Sequence, residues 1–164
     1  MTDNSPQRMI KVLLVDDNRL LGMALQMKLS AEPDLRCVGR LESADHLVEE
    51  VLIKQPDVIL LDIEMPGRDS FAALAEVTRR RPASRAVMLT AHIREAFIDA
   101  AIVAGAWGYV CKGDRPEAIL DAVRKVARGE FALGQEVVEH CRRSGSEPGL
   151  DLAGPRSVPG TGVR

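Results

Sequence analysis

Two stretches, VLLVDDN at residues 12–18 and VILLDIEMPG at residues 58–67, decide the predicted fold of this chain. Each begins as a short run of Val, Ile and Leu, which is typical of a buried β-strand, and each ends abruptly in acid. Asp16 and Asp17 follow the first run, and Asp62 follows the second. Taken singly, such aspartates usually belong to turns or helix caps. Two buried strands that both end in carboxylates raise the question of whether the three acids meet.

The rest of the chain repeats this alternation of strand-like and helix-like segments. Short apolar runs lie at 10–15, 35–39, 58–61, 86–89 and 108–111, and segments with helical spacing lie at 19–31, 44–54, 70–81, 94–104 and 115–128. Continuous apolar strands indicate burial on both faces, as in a parallel sheet covered by helices. The pattern therefore predicts a doubly wound α/β domain, with a five-stranded parallel sheet and five flanking helices.

The ends of two predicted helices carry recognisable signals. Asn18 is the predicted N-cap of the first helix. The sequence DRPE at 114–117 predicts a capping box at the start of the last helix, with Asp114 as the N-cap and Glu117 bonding back to it.

The composition favours one intracellular domain with a short appendage. The chain has 164 residues and a formal net charge of −2, which gives no general attraction to nucleic acid or membrane. No apolar run approaches the roughly 20 residues that span a bilayer. The opening MTDNSPQRMIK lacks the apolar core of a secretory signal. Three cysteines without a C-x-x-C pair indicate reduced thiols, so we predict a cytoplasmic protein.

Four segments are predicted along the chain. Residues 1–8 form a flexible N-terminus, residues 9–130 form the domain, and residues 131–143 form a short helical extension. Residues 144–164 are rich in Gly, Pro and Ser, so they cannot offset their ordering entropy by burial. We predict a disordered tail there.

The strand ends collect side chains that suit one reaction. In an open parallel sheet, functional groups gather beyond the carboxyl ends of the strands, where Thr90 and Lys112 end the fourth and fifth predicted strands. Three close carboxylates repel, so the cluster must raise pKa values or hold a cation such as Mg²⁺. Asp62 can attack a phosphorus atom and form an acyl phosphate. Lys112 would then supply positive charge, and Thr90 a hydrogen bond.

This combination resembles the receiver domain of response regulators, the phosphoacceptor module of two-component signalling. The resemblance spans roughly residues 9–130, and its motifs are VDDN with Asp16 and Asp17, LDIEMPG with Asp62, MLTA with Thr90, and GAWGYVCK with Tyr109 and Lys112. It implies a flavodoxin-like sheet with strand order 2-1-3-4-5. The stretch RPEAILDAVRKVARGE looks like the receiver part of LuxR-type regulators.

The resemblance also implies a partner and a metal. Asp62 is expected to accept a phosphoryl group from the phosphohistidine of a sensor histidine kinase or of a histidine phosphotransfer protein. Mg²⁺ is implied as the cofactor, with oxygen ligands from Asp16, Asp17, Asp62 and the main-chain carbonyl of Glu64.

Further roles follow from the same resemblance. Thr90 and Tyr109 are implied to be the conformational switch. Glu64 and His92 each lie two residues after a key residue, and they are implied to tune the lifetime of the acyl phosphate. Two positions depart from the family pattern, because Gly113 stands where many relatives have Pro and Ser70 where relatives usually have Gly. The second departure is expected to alter the entry to the third helix without touching the chemistry.

Three functions compete for this sequence. The first is a stand-alone receiver that binds partners, and the second is the receiver part of an incomplete LuxR-type DNA-binding transcriptional regulator. The third is an aspartyl-nucleophile phosphatase of the haloacid-dehalogenase type, which usually has a second Asp where Glu64 stands. We predict no enzymatic activity beyond self-phosphorylation from a phosphodonor and self-dephosphorylation. Because Gly/Pro-rich sequence begins where a helix-turn-helix would start, we predict no direct nucleic-acid binding by this chain, and no membrane binding.

An activated face is predicted on the fourth helix, fifth strand and fifth helix. Glu95 and Asp99 place acid on the fourth helix, while Arg124, Lys125 and Arg128 place base on the fifth. A two-fold pairing of this face would give a weak, salt-sensitive homodimer. Pairing of helix five with helix one is the alternative.

Overall fold

A computed structural model of the chain describes residues 8–145, so our predictions for residues 1–7 and 146–164 lie outside the described part. Its strands are β1 Ile10–Val15, β2 Leu35–Leu41, β3 Val58–Asp62, β4 Arg85–Thr90, β5 Gly108–Cys111 and β6 Ala132–Leu133. All pairings are parallel, and the order in the sheet is β2-β1-β3-β4-β5-β6. The first five strands have the predicted order. The prediction of five strands was wrong, because β6 adds a sixth strand beyond β5.

Helices cover both faces of the sheet. They are α1 Arg19–Ala31, α2 Leu47–Lys54, α3 Ser70–Arg80, α4 Glu95–Ala104, α5 Pro116–Ala127 and α6 Gln135–Ser144. One apolar core joins the sheet to α1 and α5, and a second core joins it to α2, α3, α4 and α6. Five flanking helices were predicted, so α6 is a sixth that packs with the others rather than standing apart. Within residues 8–145, none of the helices has the length and apolar character to cross a bilayer.

The two cores explain the continuous apolar runs of the sequence. In β1, Leu13 and Val15 enter the core of the four-helix layer, while Val12 and Leu14 enter the core under α1 and α5. Each of these side chains is at most 1% exposed. Since both faces of the strand are buried, neither face can be polar, and the alternation of an exposed strand is lost.

The sixth strand and α6 attach the end of the described chain to β5. The N–H of Gly134 donates to the carbonyl of Tyr109 at 2.9 Å. Val137 and Cys141 of α6 are buried in the same core as Tyr109. A strand of two residues is too short to show an alternation of apolar and polar residues, so the sequence pattern predicted the helix but not the strand before it.

One of the two predicted caps is confirmed and the other is wrong. The Leu21 N–H donates to Asn18 Oδ1 at 3.1 Å at the start of α1. Helix α5 begins at Pro116, one residue later than a cap at Asp114 requires. The carboxylate of Asp114 instead turns back into the loop and accepts the N–H of Cys111 at 3.0 Å. A local bond within the loop therefore replaces the capping box.

Candidate functional site

The three aspartates of the opening stretches meet at the carboxyl edge of the sheet. Asp16 and Asp17 follow β1, Asp62 ends β3, and these two strands are neighbours. One carboxylate oxygen from each of the three residues lies within 4.8 Å of the others. Asp16 and Asp62 are each 2% exposed, whereas Asp17 is exposed. The fold therefore joins acids that lie far apart in the sequence.

The ammonium group of Lys112 lies between the two buried carboxylates. Its Nζ is 2.9 Å from Asp16 Oδ2 and 2.9 Å from Asp62 Oδ2. The backbone N–H of Lys112 donates to the carbonyl of Thr90 at 2.7 Å, which continues the pairing of β5 with β4 by one residue. Because that bond fixes the backbone, the side chain starts from the same edge of the sheet as the acids.

Backbone amides hold the other oxygen of each buried carboxylate. The N–H of Asn18 donates to Asp16 Oδ1 at 2.8 Å, and the N–H of Glu64 donates to Asp62 Oδ1 at 3.2 Å. Both bonds run from a residue back to the aspartate two positions earlier, as in an Asx turn. Each Oδ1 is thus fixed by the local backbone, and each Oδ2 contacts Lys112.

Burial sets the protonation of this cluster. Loss of solvent raises the pKa of Asp62 to about 6, the charge of Asp16 adds to that rise, and Lys112 opposes it. Burial by itself would lower the pKa of Lys112, but the contacts with Asp16 and Asp62 outweigh it, and the pKa of the ammonium is raised. Lys112 therefore keeps its positive charge at neutral pH. Its contact with Asp62 does not bring the pKa of that carboxyl back to its ordinary value.

The residues present fit a divalent cation. Three carboxylates and one ammonium leave an excess of two negative charges when all four groups are ionised. Asp16 Oδ2 is buried, and among the described residues it has no well-aligned hydrogen-bond donor beyond its ion pair with Lys112. Mg²⁺ prefers oxygen ligands and carries the missing charge, so Asp16, Asp17 and Asp62 form a suitable donor set.

Comparisons with known proteins agree with this geometry. Residues 12–124 match the family described as the response regulator receiver domain. The chain belongs to this family. Its relatives include the transcriptional regulatory protein LiaR of Bacillus subtilis, which is 33% identical over 129 residues, 79% of this chain and 61% of that protein. The response regulator protein VraR of Staphylococcus aureus is 32% identical over 133 residues, 81% of this chain and 64% of that protein.

Solved structures show the same fold. The receiver domain of the response regulator NarL from Mycobacterium tuberculosis is 29% identical with a TM-score of 0.71, over 74% of this chain and 98% of that one. A LuxR-family response regulator from Aurantimonas is 23% identical with a TM-score of 0.78, over 85% of this chain and 99% of that one. The chain spans less than two thirds of the length of LiaR and VraR, and its matched part is the receiver.

Thr90 and Tyr109 of this receiver are both buried. The Thr90 hydroxyl donates to the carbonyl of His92 at 2.6 Å and accepts the His92 N–H at 3.1 Å, so it is bonded to the loop after β4 rather than to Asp62. Burial raises the pKa of Tyr109 to about 12, with the nearby Thr90 opposing the rise. Within residues 8–145, the Tyr109 hydroxyl has no well-aligned hydrogen-bond partner. Tyr109 is 2% exposed, so its ring lies inward in this structure.

Glu64 and His92 stand at the mouth of the site. The Nδ1 atom of His92 lies 3.4 Å from Glu64 Oε2, and both side chains are exposed. The contact spans the loop after β3 and the loop after β4. The two residues implied to tune the acyl phosphate therefore touch each other across the entrance.

One site residue, Ser70, was not predicted from chemistry. Its hydroxyl is buried and donates to the carbonyl oxygen of Asp62 at 2.7 Å. The sequence signal was the departure from the usual Gly, and we expected that departure to leave the chemistry untouched. The structure places its hydrogen bond on the backbone of Asp62 itself.

We expect Asp62→Asn to raise the thermal midpoint in Mg²⁺-free buffer at about pH 7.5, by roughly 3 °C or more. The folded-state pKa of about 6 lies above the ordinary value of 3.8, so ionisation of Asp62 disfavours the folded state at neutral pH. As the pH falls from 6 toward 4, the folded wild type takes up the proton first, its relative stability rises, and the advantage of Asn shrinks. Scanning calorimetry at about pH 7.5 and about pH 4.5 measures both effects. A less stable variant at both values would show that the Lys112 ion pair outweighs the burial of the charge.

Proposed function

We propose that this receiver is a phosphorylation-controlled switch whose phosphoacceptor is Asp62. The phosphoryl group would come from the phosphohistidine of a sensor histidine kinase or a histidine phosphotransfer protein. Mg²⁺ would bind at Asp16, Asp17, Asp62 and the main-chain carbonyl of Glu64. The observation that carries the proposal is the contact of Lys112 with both Asp16 and Asp62 at 2.9 Å, because it joins a buried nucleophile to positive charge at the edge of the sheet.

The proposed transfer conserves atoms and charge in one displacement. A carboxylate oxygen of Asp62 forms a bond to phosphorus while the bond from phosphorus to the donor imidazole nitrogen breaks. That nitrogen keeps the electron pair and takes up a proton. Lys112 remains beside the reacting carboxylate and balances charge on the phosphoryl oxygens. Mg²⁺, when bound, supplies further positive charge to those oxygens.

The phosphorylated state would be sensed by Thr90. A phosphoryl group adds roughly −1.5 to −2 charge and three strong acceptors. The Thr90 hydroxyl now donates to the carbonyl of His92, and it would exchange that bond for one to a phosphoryl oxygen. The exchange would release the loop after β4, and Tyr109 would repack against Thr90.

The position of Glu64 supports a switch rather than a phosphatase. A haloacid-dehalogenase type of phosphatase uses the residue two positions after the nucleophile to protonate the leaving group. Here that residue contacts His92 at the exposed mouth, 3.4 Å away. A single stoichiometric phosphorylation without steady turnover is the outcome that this arrangement favours.

The output is best supported as control of DNA-binding activity in a longer regulator. YvfU of Bacillus subtilis, named an uncharacterized transcriptional regulatory protein, is 30% identical over 135 residues, 82% of this chain and 68% of that protein. LiaR carries a similar name. These names favour the receiver part of a transcriptional regulator over a stand-alone receiver. The receiver would act as the switch, and we assign it no contact with nucleic acid.

Self-association on activation stays a prediction, and one of the residues expected to contact a second copy is already engaged within its own chain. Arg124 was expected to face acids of a second copy. Within its own chain it contacts Glu32, Asp34 and Asp121 at 2.7, 2.8 and 3.2 Å, and these partners raise its pKa. Lys125 on the exposed side of α5 stays available for the proposed homodimer.

We infer that α6 carries the signal out of the site. Gly134, just before α6, donates its N–H to the carbonyl of Tyr109 at 2.9 Å. A Cβ atom at Gly134 would collide with the carboxylate of Asp114, which belongs to the loop that follows Lys112. The start of α6 is therefore packed against both the switch tyrosine and the loop after the site lysine. A shift of either one would loosen the helix.

Labelling with acetyl phosphate and Mg²⁺ tests the phosphoacceptor. Intact mass should show one added phosphoryl group on the wild type and none on Asp62→Asn. Asp121→Asn, an exposed aspartate on α5, is the matched control and should be labelled like the wild type. Equal labelling of Asp62→Asn would remove Asp62 from the role.

Glu64→Ala and His92→Ala should each change the rate at which the phosphoryl group is lost, because their contact covers the entrance through which water arrives. The stoichiometry of labelling should stay at that of the wild type. The measurement is the decay of the phosphorylated mass after the donor is removed. Glu130→Ala, an exposed residue just before β6, is the control. Decay rates equal to the control for both variants would show that the pair does not limit access.

Cys141 reports directly on the release of α6. Its thiol is 4% exposed, whereas Cys37 on β2 is only partly buried and lies far along the sheet from α6. Beryllofluoride, a mimic of the phosphoryl group, added with Mg²⁺ should speed maleimide labelling of Cys141 severalfold and leave Cys37 unchanged. Peptide mass separates both sites from the third thiol, Cys111. Asp62→Asn should show no such change. An unchanged rate at Cys141 under conditions that saturate the site would exclude release of α6.

A further inference from the structure

The Ser70 hydroxyl makes a buried hydrogen bond that helix capping does not require. Ser70 is the first residue of α3 and is 2% exposed. The cap of this helix is Asp69, whose carboxylate accepts the N–H of Ala72 at 2.8 Å. Serine at a helix start usually satisfies an amide of the helix itself. Here it donates instead to the carbonyl oxygen of Asp62 at 2.7 Å.

That bond fixes one end of a peptide unit whose other end is already fixed. The unit between Asp62 and Ile63 has its carbonyl bonded to Ser70, and its N–H donates to the carbonyl of Leu89 at 3.1 Å. A peptide unit is planar, so hydrogen bonds at both ends define its rotation. The backbone angles on either side, at Asp62 and at Ile63, are constrained as a result.

Two groups of the site depend on this peptide unit. The first is the carboxylate of Asp62, which extends from the same residue. The second is the backbone of Glu64, one residue further on, whose N–H donates to Asp62 Oδ1 at 3.2 Å. The carbonyl of Glu64 is the main-chain oxygen in the proposed Mg²⁺ site. A tilt of the peptide unit would move both groups together.

We propose that Ser70 is a positioning residue for the Mg²⁺ and phosphoryl site, acting through the peptide unit between Asp62 and Ile63. Its hydroxyl closes the base of the loop that carries Glu64 and sets that loop before the metal arrives. A glycine at this position has no hydroxyl and leaves the carbonyl end of the unit without this donor. The inference rests on the proposed function, because it names a residue that prepares the same site.

Ser84 offers a matched control within the chain. Its hydroxyl is also buried and also donates to a backbone carbonyl, that of Pro56, at 2.6 Å. Ser84 and Pro56 precede β4 and β3, so this bond lies at the amino edge of the sheet, opposite the acids. Ser70→Ala and Ser84→Ala therefore each remove a buried bond from a hydroxyl to a backbone carbonyl, and only Ser70 touches the site. Ser84→Ala also removes the bond that its hydroxyl accepts from Arg81 Nε at 3.0 Å, so it is the more severe change to packing.

The test is the Mg²⁺ dissociation constant, measured by calorimetry on the purified chain without a phosphodonor. We expect Ser70→Ala and Ser70→Gly to weaken Mg²⁺ binding by roughly tenfold, the lower end of losses seen when groups behind metal ligands are removed. Ser84→Ala should bind Mg²⁺ like the wild type, even where its thermal midpoint falls as much. Ser70→Thr keeps the hydroxyl and should retain most of the affinity.

Each outcome decides the inference. Equal Mg²⁺ affinity in Ser70→Gly and Ser84→Ala would overturn it and leave Ser70 with a structural role only, while labelling of Asp62 in the wild type would still support the proposed function. A wild type that binds no Mg²⁺ and takes no label would overturn both. Should Ser70→Ala fail to fold, Ser70→Thr, which keeps the hydroxyl, and Ser70→Gly, which lacks it, carry the comparison.

Discussion

One ammonium group between two buried carboxylates joins the parts of this receiver that matter for function. Lys112 extends from the end of β5, and it reaches Asp62 at the end of β3 and Asp16 at the end of β1. Strand β4 lies between β3 and β5, so the side chain links three strands across a fourth. A buried ion pair is weak evidence for stability, because desolvation opposes the attraction. Its value here is to hold charged groups at a defined place.

Backbone amides stabilise the two buried carboxylates. Each buried carboxylate is held by an amide two residues further along, from Asn18 or from Glu64. These bonds come from the same turns that follow β1 and β3, so the local backbone orients one oxygen of each acid while Lys112 contacts the other. The charge of the site is not balanced, because three carboxylates share the single positive charge of Lys112. The site is thus arranged to gain from a cation and from phosphoryl chemistry, at a cost to the stability of the metal-free protein.

The sequence predicted those features that depend on strand ends and failed where single tertiary contacts or individual hydrogen bonds decide the structure. Because β1 and β3 are buried on both faces, they are continuous apolar runs, and the sequence shows where each run ends. The carboxyl ends of parallel strands lie at the same edge of a sheet, which predicts that Asp16, Asp17 and Asp62 meet there. Strand β6 has two residues, which is too short for a period to show. Its existence depends on pairing with β5 and on the packing of α6, and both are tertiary effects.

Two polar side chains show the same limit at the level of single bonds. Asp114 has the sequence signature of a helix cap, yet its carboxylate bonds to Cys111 and lies against the residue before α6. Ser70 stands at a helix start, yet its hydroxyl bonds to Asp62. Short polar side chains have several backbone groups within reach, and propensity does not choose among them. In both cases the side chain bonds back to the last residue of the preceding strand, at the carboxyl edge of the sheet.

The position of Asp114 between the end of β5 and the start of α6 is the contact on which the proposed route from the site to α6 depends. Strand β5 has four residues, and it carries Tyr109 near its centre with Lys112 directly after its end. A short, buried strand moves as a unit, because its pairings with β4 and β6 are formed on both sides. If Lys112 moves toward a bound phosphoryl group, as the proposed switch requires, the loop to Asp114 and the pairing at Gly134 would have to accommodate that shift. Helix α6 is held mainly by the packing of Val137 and Cys141 in the core, so in the proposed switch a small displacement at its start would change the packing of the helix.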